Sequence, residues 1–443
     1  MTSRVGLRLA RAIAGAMLAL CAAHGKAHAQ APRVASPPTE AVTPAASDDL
    51  EIMLATFGLG QEVFERFGHN AIWVHDRANG TDITYDWGNF SFHQPGFIRR
   101  FLTGDTRYSM EAKDANAMVD YYRQLGRPIT VQRLNLTAQQ KRELRDFLRW
   151  NALEENKYYR YDYFVDNCST RLRDALDHVL HGTLRAATDS VRTAFSFRRE
   201  SVRLTDGVRP VQTGIDIALG RPADVPLTVW ESFFIPMRLR DALRGFTLPS
   251  GADGARVPLV ASEQSIEPFP GTQRVVELPT APRLVWRLLF VGLALAALVA
   301  GIRVMAVSRR GAVWGLAVVT AAWSLLCGLI GVILVLAWTA TRHIFWAWNE
   351  NLLLLSPLWL LLAVLLPMTL LRGRATSATR AVTLAVVLLS LVGLVLAAIP
   401  GGQENRAIVA LFLPVHLAIA WSVLRPAVVA RGAPRAVADP RAA

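Results

Sequence analysis

Five long apolar runs in the last third of this chain constrain its fold more than any other feature. They lie at about 285–306, 313–339, 352–371, 381–399 and 406–424 of the 443 residues. Each run is long enough, or nearly so, to cross the ~30 Å hydrocarbon core of a bilayer as a helix, and a helix satisfies its own backbone hydrogen bonds in lipid. The sequence therefore predicts an all-α membrane region over 284–424, followed by a cytoplasmic tail at 425–443.

The arginines between and after these runs predict which side of the membrane each loop faces. The loops 307–312 and 372–380 and the C-terminal tail are rich in arginine, whereas the outer loops hold only Arg342 and Arg406. By the positive-inside rule the arginine-rich segments are cytoplasmic, so the region before the first run is exported. Residues 30–283 are close to neutral, so the net charge of +13 belongs to targeting and topology and does not indicate nucleic-acid binding.

The first 29 residues are typical of a secretory signal peptide. An apolar stretch at 12–23 precedes Ala27-His28-Ala29, which matches the A-x-A pattern of a cleavage site. Basic residues stand before that stretch: Arg4, Arg8 and Arg11. A lipoprotein signal cleaved before Cys21 and an uncleaved anchor are the alternatives. We therefore expect the chain in a bacterial inner membrane, with its globular domain in the periplasm.

Composition divides the exported region into three segments. Residues 30–47 are rich in Pro, Ala and Ser and predict a disordered tether. Residues 48–250 carry charges throughout and predict a globular domain. Residues 251–283 then predict a linker to the first apolar run.

Cys168 is the only cysteine expected in the mature exported domain, because Cys21 leaves with the signal peptide and Cys327 lies in the second apolar run. It therefore has no disulfide partner in that domain. The residues after it have helical apolar spacing, and Asp166 or Asn167 can cap the helix. A helix N-terminus favours the thiolate form of a cysteine, which predicts a nucleophile. The alternative is a buried cysteine that only begins a core helix.

His69 is the candidate base for this thiol. It begins a predicted strand at 69–75, and a turn leads from there to a second strand. His178 and His181 lie about three helical turns beyond Cys168, too far to reach its sulfur. A histidine at a strand start that faces a cysteine at a helix start is the arrangement of papain-like thiol enzymes.

Two further residues are candidates for supporting roles at this pair. Asp86, in the second strand, is placed to accept a hydrogen bond from the imidazole of His69, unless the hairpin register is shifted by one residue. Asn167 is a candidate to position the thiol or to bind an oxyanion, and ordinary helix capping is its alternative role. The sequence has no Gly-rich phosphate loop and no zinc signature, so we expect neither a cofactor nor a metal.

Three segments of the exported region resemble a known family. They read, in order, RFGHNAIWVHD, YDWGNFSFHQPGFIRRFLTGDTRYSM and YRYDYFVDNCSTRLRDAL. A histidine strand that precedes a cysteine helix resembles circularly permuted papain-like proteins, such as the lecithin–retinol acyltransferase group. More closely, these segments and the apolar runs after them resemble the Lnb family of bacterial lipoprotein N-acyltransferases, over most of residues 50–424.

This resemblance implies an α+β exported domain with a circularly permuted papain-like fold, followed by about five transmembrane helices. It implies Cys168 as the nucleophile and His69 as the base. The implied reaction moves an acyl chain from a membrane phospholipid, through a cysteine thioester, to the N-terminal amine of a lipoprotein. The phospholipid and the lipoprotein are then the expected partners, and the oligomeric state stays open.

Two segments are candidates for contact with a lipid substrate. Residues 97–102 mix aromatic, aliphatic and basic side chains, so Arg99 and Arg100 are predicted to bind phosphates at the bilayer surface. An amphipathic packing face is the alternative. The outer loop after the second run is predicted to form the membrane side of the site through its polar and aromatic residues: His343, Trp348 and Asn349. An aromatic belt with polar caps is the alternative interpretation of that loop.

Two other functions fit the same residues. A membrane-anchored cysteine peptidase or amidase that acts on the cell wall would use the same pair, Cys168 and His69. A non-catalytic membrane protein would use the exported domain only to bind a partner. Five spans exceed what a tether needs, which favours a lipid substrate over the cell wall.

Overall fold

The computed structural model describes residues 49–250 and 255–424. The predicted signal peptide, tether and cytoplasmic tail lie outside the described residues, as does part of the predicted linker. The described residues form two compact units. The sheet unit comprises the described residues of 49–215 and 225–282. The helical unit comprises those of 216–224 and 283–424.

An antiparallel sheet organises the sheet unit. The strands of this unit are β1 Leu50–Phe57, β2 His69–Asp76, β3 Thr81–Asn89, β4 Arg107–Asp114, β5 Ile129–Leu134, β6 Tyr158–Arg160, β7 Thr247–Ser250, β8 Ala255–Pro258 and β9 Val260–Ile266. Seven of them form one sheet in the order β6-β4-β3-β2-β1-β5-β9, and β7 pairs with β8 separately. The predicted hairpin of β2 and β3 is confirmed.

Helices pack on both faces of the large sheet. The helices in this part of the chain are α1 Phe97–Thr103, α2 Ala115–Gln124, α3 Ala138–Asn151, α4 Cys168–Val179, α5 Thr183–Thr188, α6 Phe197–Leu204, α7 Arg209–Ala218, α8 Val229–Ser232 and α9 Pro236–Gly245. Because side chains alternate along a strand, Leu54 of β1 joins a core with Leu172 and Leu176 of α4, whereas Phe57 packs with Tyr122 of α2 on the opposite face. Sheet and helices together give the mixed α and β architecture that the sequence predicts.

Apolar helices form most of the helical unit. They are α10 Leu284–Met305, α11 Arg310–Ala340, α12 Trp359–Arg372, α13 Ser377–Ala398 and α14 Arg406–Leu424. Within the described residues, four of them are long and apolar enough to cross a membrane, namely α10, α11, α13 and α14. The third predicted run, 352–371, is not among these four, and its helix is shorter than predicted. Helix α12 has only 14 residues, about 21 Å at 1.5 Å per residue, against the ~30 Å of a hydrocarbon core.

The first half of the third run folds differently from the predicted helix. Glu350–Leu353 form a 3-10 turn, and Pro357 precedes the start of α12 at Trp359. A proline disfavours helical backbone at the residue before it, which separates the two pieces. The leucines of this stretch are buried: Leu352, Leu353, Leu354, Leu355 and Leu358. Burial inside protein is the condition under which irregular backbone is tolerated in a membrane region.

Residues 216–224 belong to the helical unit although sheet-unit sequence surrounds them. The buried side chain of Asn349 donates to two backbone carbonyls of this segment at 2.8 and 2.9 Å, and Gln403 donates to a third at 3.1 Å. A Cβ on Gly220 would come within 1.9 Å of the Ala347 carbonyl oxygen. Buried amides need hydrogen-bond partners, and the backbone carbonyls of this segment are those partners. The backbone at position 220 lies so close to Ala347 that only glycine fits there.

Candidate active site

Cys168 is the first residue of α4, as its sequence context predicts. The helix begins there because Asn167 is its N-cap, and the Asn167 side-chain oxygen accepts hydrogen bonds from the N–H groups of Ser169 and Thr170 at 2.9 and 3.0 Å. The Thr170 hydroxyl accepts from the Asn167 N–H at 2.8 Å, which completes a capping box. Among the described residues, none accepts a hydrogen bond from the Cys168 N–H, so this donor stays available at the helix N-terminus.

The amide group of Asn167 is fully used within the protein. Its two protons go to the carbonyl oxygens of Tyr163 and Phe234, at 3.0 and 2.9 Å, and the residue is buried. The structure thus places Asn167 in the capping role, with no proton left for a substrate oxyanion. The backbone N–H of Cys168 is the donor that this helix end still offers.

His69 begins β2 and lies beside the thiol. Its Nε2 is 2.9 Å from Oδ2 of Asp86, and Cys168 is close enough for its charge to act on the pKa of the imidazole. Because Asp86 occupies Nε2, Nδ1 is the ring nitrogen left to exchange a proton with the sulfur. The rings of Phe57 and Tyr122 stack with the imidazole at centroid distances of 6.0 and 6.1 Å and restrict its tilt.

The register of β2 and β3 brings Asp86 to His69. Ile72 pairs with Tyr85, so Asp86 is a diagonal neighbour of His69 on the same face of the sheet. The Asp86 carboxylate also lies 3.2 Å from Nζ of Lys113. Burial acts to raise the pKa of Asp86, but the hydrogen bond from His69 and the charges of His69 and Lys113 outweigh it and lower that pKa. Asp86 is therefore ionised at neutral pH.

The groups around His69 favour its protonated form. Burial alone would lower the pKa of the imidazole, but negative charge on Cys168 and the hydrogen bond with Asp86 raise it to about 9. At neutral pH the ring is therefore an imidazolium that lies between a carboxylate and a sulfur. A positive charge beside a sulfur is the electrostatic setting in which cysteine nucleophiles are activated.

Gly88 is a residue of this site that the sequence analysis missed. The pairing of β3 with β4 slips between Trp87 and Asn89, and Gly88 lies at this bulge with φ of 96°, a value that residues with side chains rarely adopt. A Cβ on Gly88 would lie 3.4 Å from the Cβ of Cys168. The bulge thus leaves room for the start of α4 at the strand end. The sequence did contain a signal for Gly88, because a glycine inside a strand often marks a place where another backbone or a ligand comes close.

The predicted phosphate ligands Arg99 and Arg100 lie on α1 in the sheet unit. Arg99 is exposed and Arg100 is partly exposed. They follow Phe97 and precede Phe101 on this helix, and the rings of these two stack at 6.2 Å. The structure therefore places both arginines on a surface helix, and their role as substrate ligands stays a prediction.

The other predicted substrate contacts lie in the helical unit. His343 is buried, and its ring stacks on Trp346 at a centroid distance of 4.1 Å. Trp348 lies 5.0 Å from the ring of Trp338 and has a positive φ of 53°. Asn349 is fully buried and holds residues 216–224 as described above. These contacts give the three residues structural roles, and their contact with a substrate stays a prediction.

The helical unit holds a second cysteine–histidine pair. Sγ of Cys327 lies 3.9 Å from Nε2 of His416, whose Nδ1 lies 2.9 Å from Oγ of Ser390. All three residues are buried. The sequence analysis did not single out His416, because a lone histidine in an apolar run has no local signal of a partner. In the part of the chain that the structure describes, no three His, Cys, Asp or Glu side chains are grouped to hold a metal ion.

Comparison with known proteins supports an exported domain of a defined type. Residues 43–197 match the family model of the Lnb N-terminal periplasmic domain, a range that includes His69, Asp86 and Cys168. Comparisons with curated proteins and with solved structures give no match. The chain is thus a membrane protein with an exported domain, and its described residues include four helices apolar enough to span a bilayer. The family match supports a relation to the Lnb membrane proteins.

Proposed function

We propose that this chain is a thiol acyltransferase of the bacterial inner membrane, which moves an acyl chain from a phospholipid to the N-terminal amine of a lipoprotein. The observation that carries the proposal is that His69 is hydrogen-bonded to Asp86 and lies within electrostatic reach of Cys168, inside a region similar to the Lnb N-terminal periplasmic domain. The order of the elements supports a circularly permuted papain-like fold, because the histidine strand β2 precedes the cysteine helix α4.

In the first proposed step, the thiolate of Cys168 attacks the carbonyl carbon of a phospholipid ester. The N–H of Cys168 donates to the oxygen that becomes negatively charged. The ester C–O bond then breaks, and Nδ1–H of His69 gives its proton to the leaving oxygen of the lysophospholipid. The acyl chain stays on the sulfur as a thioester, and His69 is left neutral.

In the second proposed step, the free amine of the acceptor attacks the thioester carbonyl. His69 takes a proton from the attacking nitrogen, the C–S bond breaks, and the amide product leaves the thiolate of Cys168 behind. Asp86 stabilises the imidazolium that exists before the first step and after the second. Lys113 holds the Asp86 carboxylate from its other side.

The apolar helices of the same chain support a lipid donor. Exposing an acyl chain to water costs about 0.8 kcal/mol per methylene, so full extraction of a chain of about 16 carbons costs about 12 kcal/mol. An enzyme held at the membrane avoids most of this cost, because only the ester must leave the bilayer. We therefore expect the chain of the donor to stay in lipid while its ester reacts.

Mass spectrometry of the full-length protein tests this proposal. Wild-type protein incubated with phospholipid vesicles should carry an acyl chain on the peptide that contains Cys168, and neutral hydroxylamine should remove it. Cys168→Ala should lose the adduct, and the matched control Cys327→Ala should keep it. A wild-type protein without the adduct, or an adduct that persists in Cys168→Ala, would contradict the proposal.

The same protein preparations separate this function from the two alternatives. A cell-wall peptidase or amidase would form no lipid adduct and would instead cleave peptidoglycan fragments in a reaction lost in Cys168→Ala. A non-catalytic binding protein would form no adduct and would cleave nothing. Acylation of a lipoprotein amine by the isolated thioester would identify the acceptor.

A further inference from the structure

An exposed apolar patch lies on the sheet unit beside the candidate site. Its five side chains are each between 47% and 73% exposed: Phe64, Phe92, Ile98, Phe101 and Leu102. Three of these residues, Ile98, Phe101 and Leu102, share one face of α1, because residues three and four apart are neighbours on a helix. Single exposed apolar residues are ordinary, but a contiguous group marks an interaction surface. We call these five residues the apolar patch.

Aromatic rings connect the apolar patch to the candidate site. The ring of Phe90 lies 5.9 Å from that of Phe64 and 5.0 Å from that of Phe92. Phe90 follows the bulge at Gly88 by two residues and packs on the same core as Cys168. The apolar surface thus continues from the exposed helix to the strand end that adjoins the thiol.

Arginines border the apolar patch and give it the charge that complements phospholipids. Arg99 and Arg107 are exposed and Arg100 is partly exposed, whereas Asp105 is the one acidic residue in the stretch 97–107. Guanidinium groups bind phosphate oxygens with two parallel hydrogen bonds. An apolar helix face with arginines at its border is typical of a segment that lies in the interface of a bilayer.

We propose that the apolar patch inserts into the outer surface of the inner membrane and presents phospholipid esters to Cys168. In this arrangement Arg99 and Arg100 contact lipid phosphates, and the rings around Phe90 receive the start of the acyl chain. The inference rests on the proposed acyltransferase function for its purpose. The insertion itself is a separate property, since it depends on the surface of the sheet unit and on the bilayer alone.

Site-specific quenching in lipid nanodiscs tests the insertion directly. In full-length protein with Cys21→Ala, Cys168→Ala and Cys327→Ala, a single fluorescent label would be attached at Ile98→Cys or, as the matched control, at Val191→Cys. Val191 is also an exposed aliphatic residue of the sheet unit, at 49%, and lies outside the apolar patch. We expect brominated phospholipids to quench the label at position 98 at least about threefold more than the label at 191, and aqueous iodide to show the reverse order.

The outcomes of this measurement decide between three occupants of the apolar patch. Equal quenching of the two labels by iodide means that the patch faces water, which overturns the proposal. Protection of position 98 from iodide without quenching by brominated lipid means that protein covers the patch, either a second copy or another partner, and this also overturns it. Quenching by brominated lipid at position 98 but not at position 191 supports the proposal.

A rate comparison tests whether insertion serves acylation. The double variant Ile98→Glu and Phe101→Glu is compared with Val191→Glu, using two acyl donors, phosphatidylethanolamine vesicles and the soluble ester p-nitrophenyl butyrate. We expect the ratio of Cys168 acylation from vesicles to that from the soluble ester to fall about tenfold or more in the double variant and to stay at the wild-type value in Val191→Glu. An unchanged ratio in the double variant overturns the role in delivery.

The two proposals fail in distinguishable ways. If wild-type Cys168 is acylated by neither donor, the proposed acyltransferase function fails, and the quenching result still decides whether the apolar patch meets lipid. If Cys168 is acylated but the label at Ile98→Cys is exposed to iodide, only the inference about the apolar patch fails. The quenching measurement uses conservative surface labels, so it does not depend on the folding of the glutamate variants.

Discussion

The molecule contains two cysteine–histidine pairs in two different regions. In the sheet unit, Cys168 and His69 have a carboxylate, Asp86, as their third partner. In the helical unit, Cys327 and His416 have a hydroxyl, that of Ser390. The residue types are thus nearly the same, and the comparison isolates what the surroundings contribute.

The position of each cysteine on its helix is the first difference. Cys168 begins α4, where its own N–H is not used within the helix. Cys327 lies in the middle of α11, Arg310–Ala340, where backbone N–H groups are bonded to the preceding turn. A helix N-terminus stabilises negative charge on a nearby group, whereas the middle of a helix does not.

The third partner is the second difference. Asp86 adds negative charge beside His69, and together with the charge on Cys168 it raises the pKa of that histidine to about 9. The Ser390 hydroxyl donates to the Val386 carbonyl at 2.8 Å, so its oxygen is free to accept from Nδ1–H of His416. The second network therefore has a hydroxyl where the first has a carboxylate. In the described residues, only the pair in the sheet unit combines a helix end with a carboxylate.

Replacing the two histidines gives the largest expected contrast. His69→Gln removes the group that moves the proton, so we expect Cys168-dependent acyl transfer to fall about 10²- to 10⁴-fold. His416→Gln leaves the sheet-unit site intact, so transfer should stay within about twofold, while the loss of buried hydrogen bonds lowers stability by about 1–3 kcal/mol. Initial transfer rates and thermal unfolding in detergent measure the two effects. Comparable losses of transfer in both variants would abolish the distinction between the pairs.

Removing the carboxylate should move the pH dependence of the first pair. Asp86→Asn lowers the pKa of His69 from about 9, so the alkaline decline of the transfer rate should begin at a lower pH. We expect a decrease of about 10- to 100-fold in rate at pH 8, within the range that acid–base groups contribute. The measurement is the pH profile of the transfer rate.

Asp82→Asn is the matched control for this pH experiment. Asp82 lies 2.9 Å from Nδ1 of His75 at the other end of the same hairpin. The substitution therefore removes an equivalent carboxylate–histidine contact that is away from the thiol. Its pH profile should coincide with that of the wild type. A shift of equal size in both variants would indicate a general effect of charge on the sheet unit.

The same pKa shift has a consequence for stability with a definite sign. The pKa of folded His69, about 9, lies above the ordinary value of 6.5, so protonation stabilises the folded state. This contribution is complete below pH 6.5 and is lost as the pH rises through about 9. The decrease in the free energy of unfolding over this interval should be smaller in Asp86→Asn than in the wild type.

Among the substitutions at this site, a single methyl group at the bulge should reduce acyl transfer least. Gly88→Ala places a Cβ 3.4 Å from that of Cys168 at a backbone φ of 96°, so the added methyl group contacts Cys168 from a strained backbone. We expect transfer to fall about 5- to 20-fold, with a strain of about 1–2 kcal/mol. Gly80→Ala is the control, because Gly80 has a φ of 62° but no atom within 4 Å of an added Cβ. Equal losses of transfer would mean that strain, and not the contact with Cys168, matters.

Features that depend on residues close together in sequence could be predicted from the sequence alone. The apolar runs predict a membrane region because spans depend only on length and composition. The start of α4 at Cys168 follows from its cap and the apolar spacing after it, and the strand at His69 follows from its alternation and the turn after it. Both members of the candidate pair, and the mixed architecture of the sheet unit, could therefore be predicted.

What the tertiary structure alone decided depends on contacts between segments that are far apart in sequence. A slip of one residue would have turned Asp86 to the opposite face of the sheet, and local pattern does not determine that register. Gly88 matters because the first residue of α4, Cys168, packs directly against it. Helix α12 is short because the residues before it are buried without regular helical structure. Residues 216–224 join the helical unit through the buried amides of Asn349 and Gln403, because a buried polar group takes whichever partner the packing brings to it.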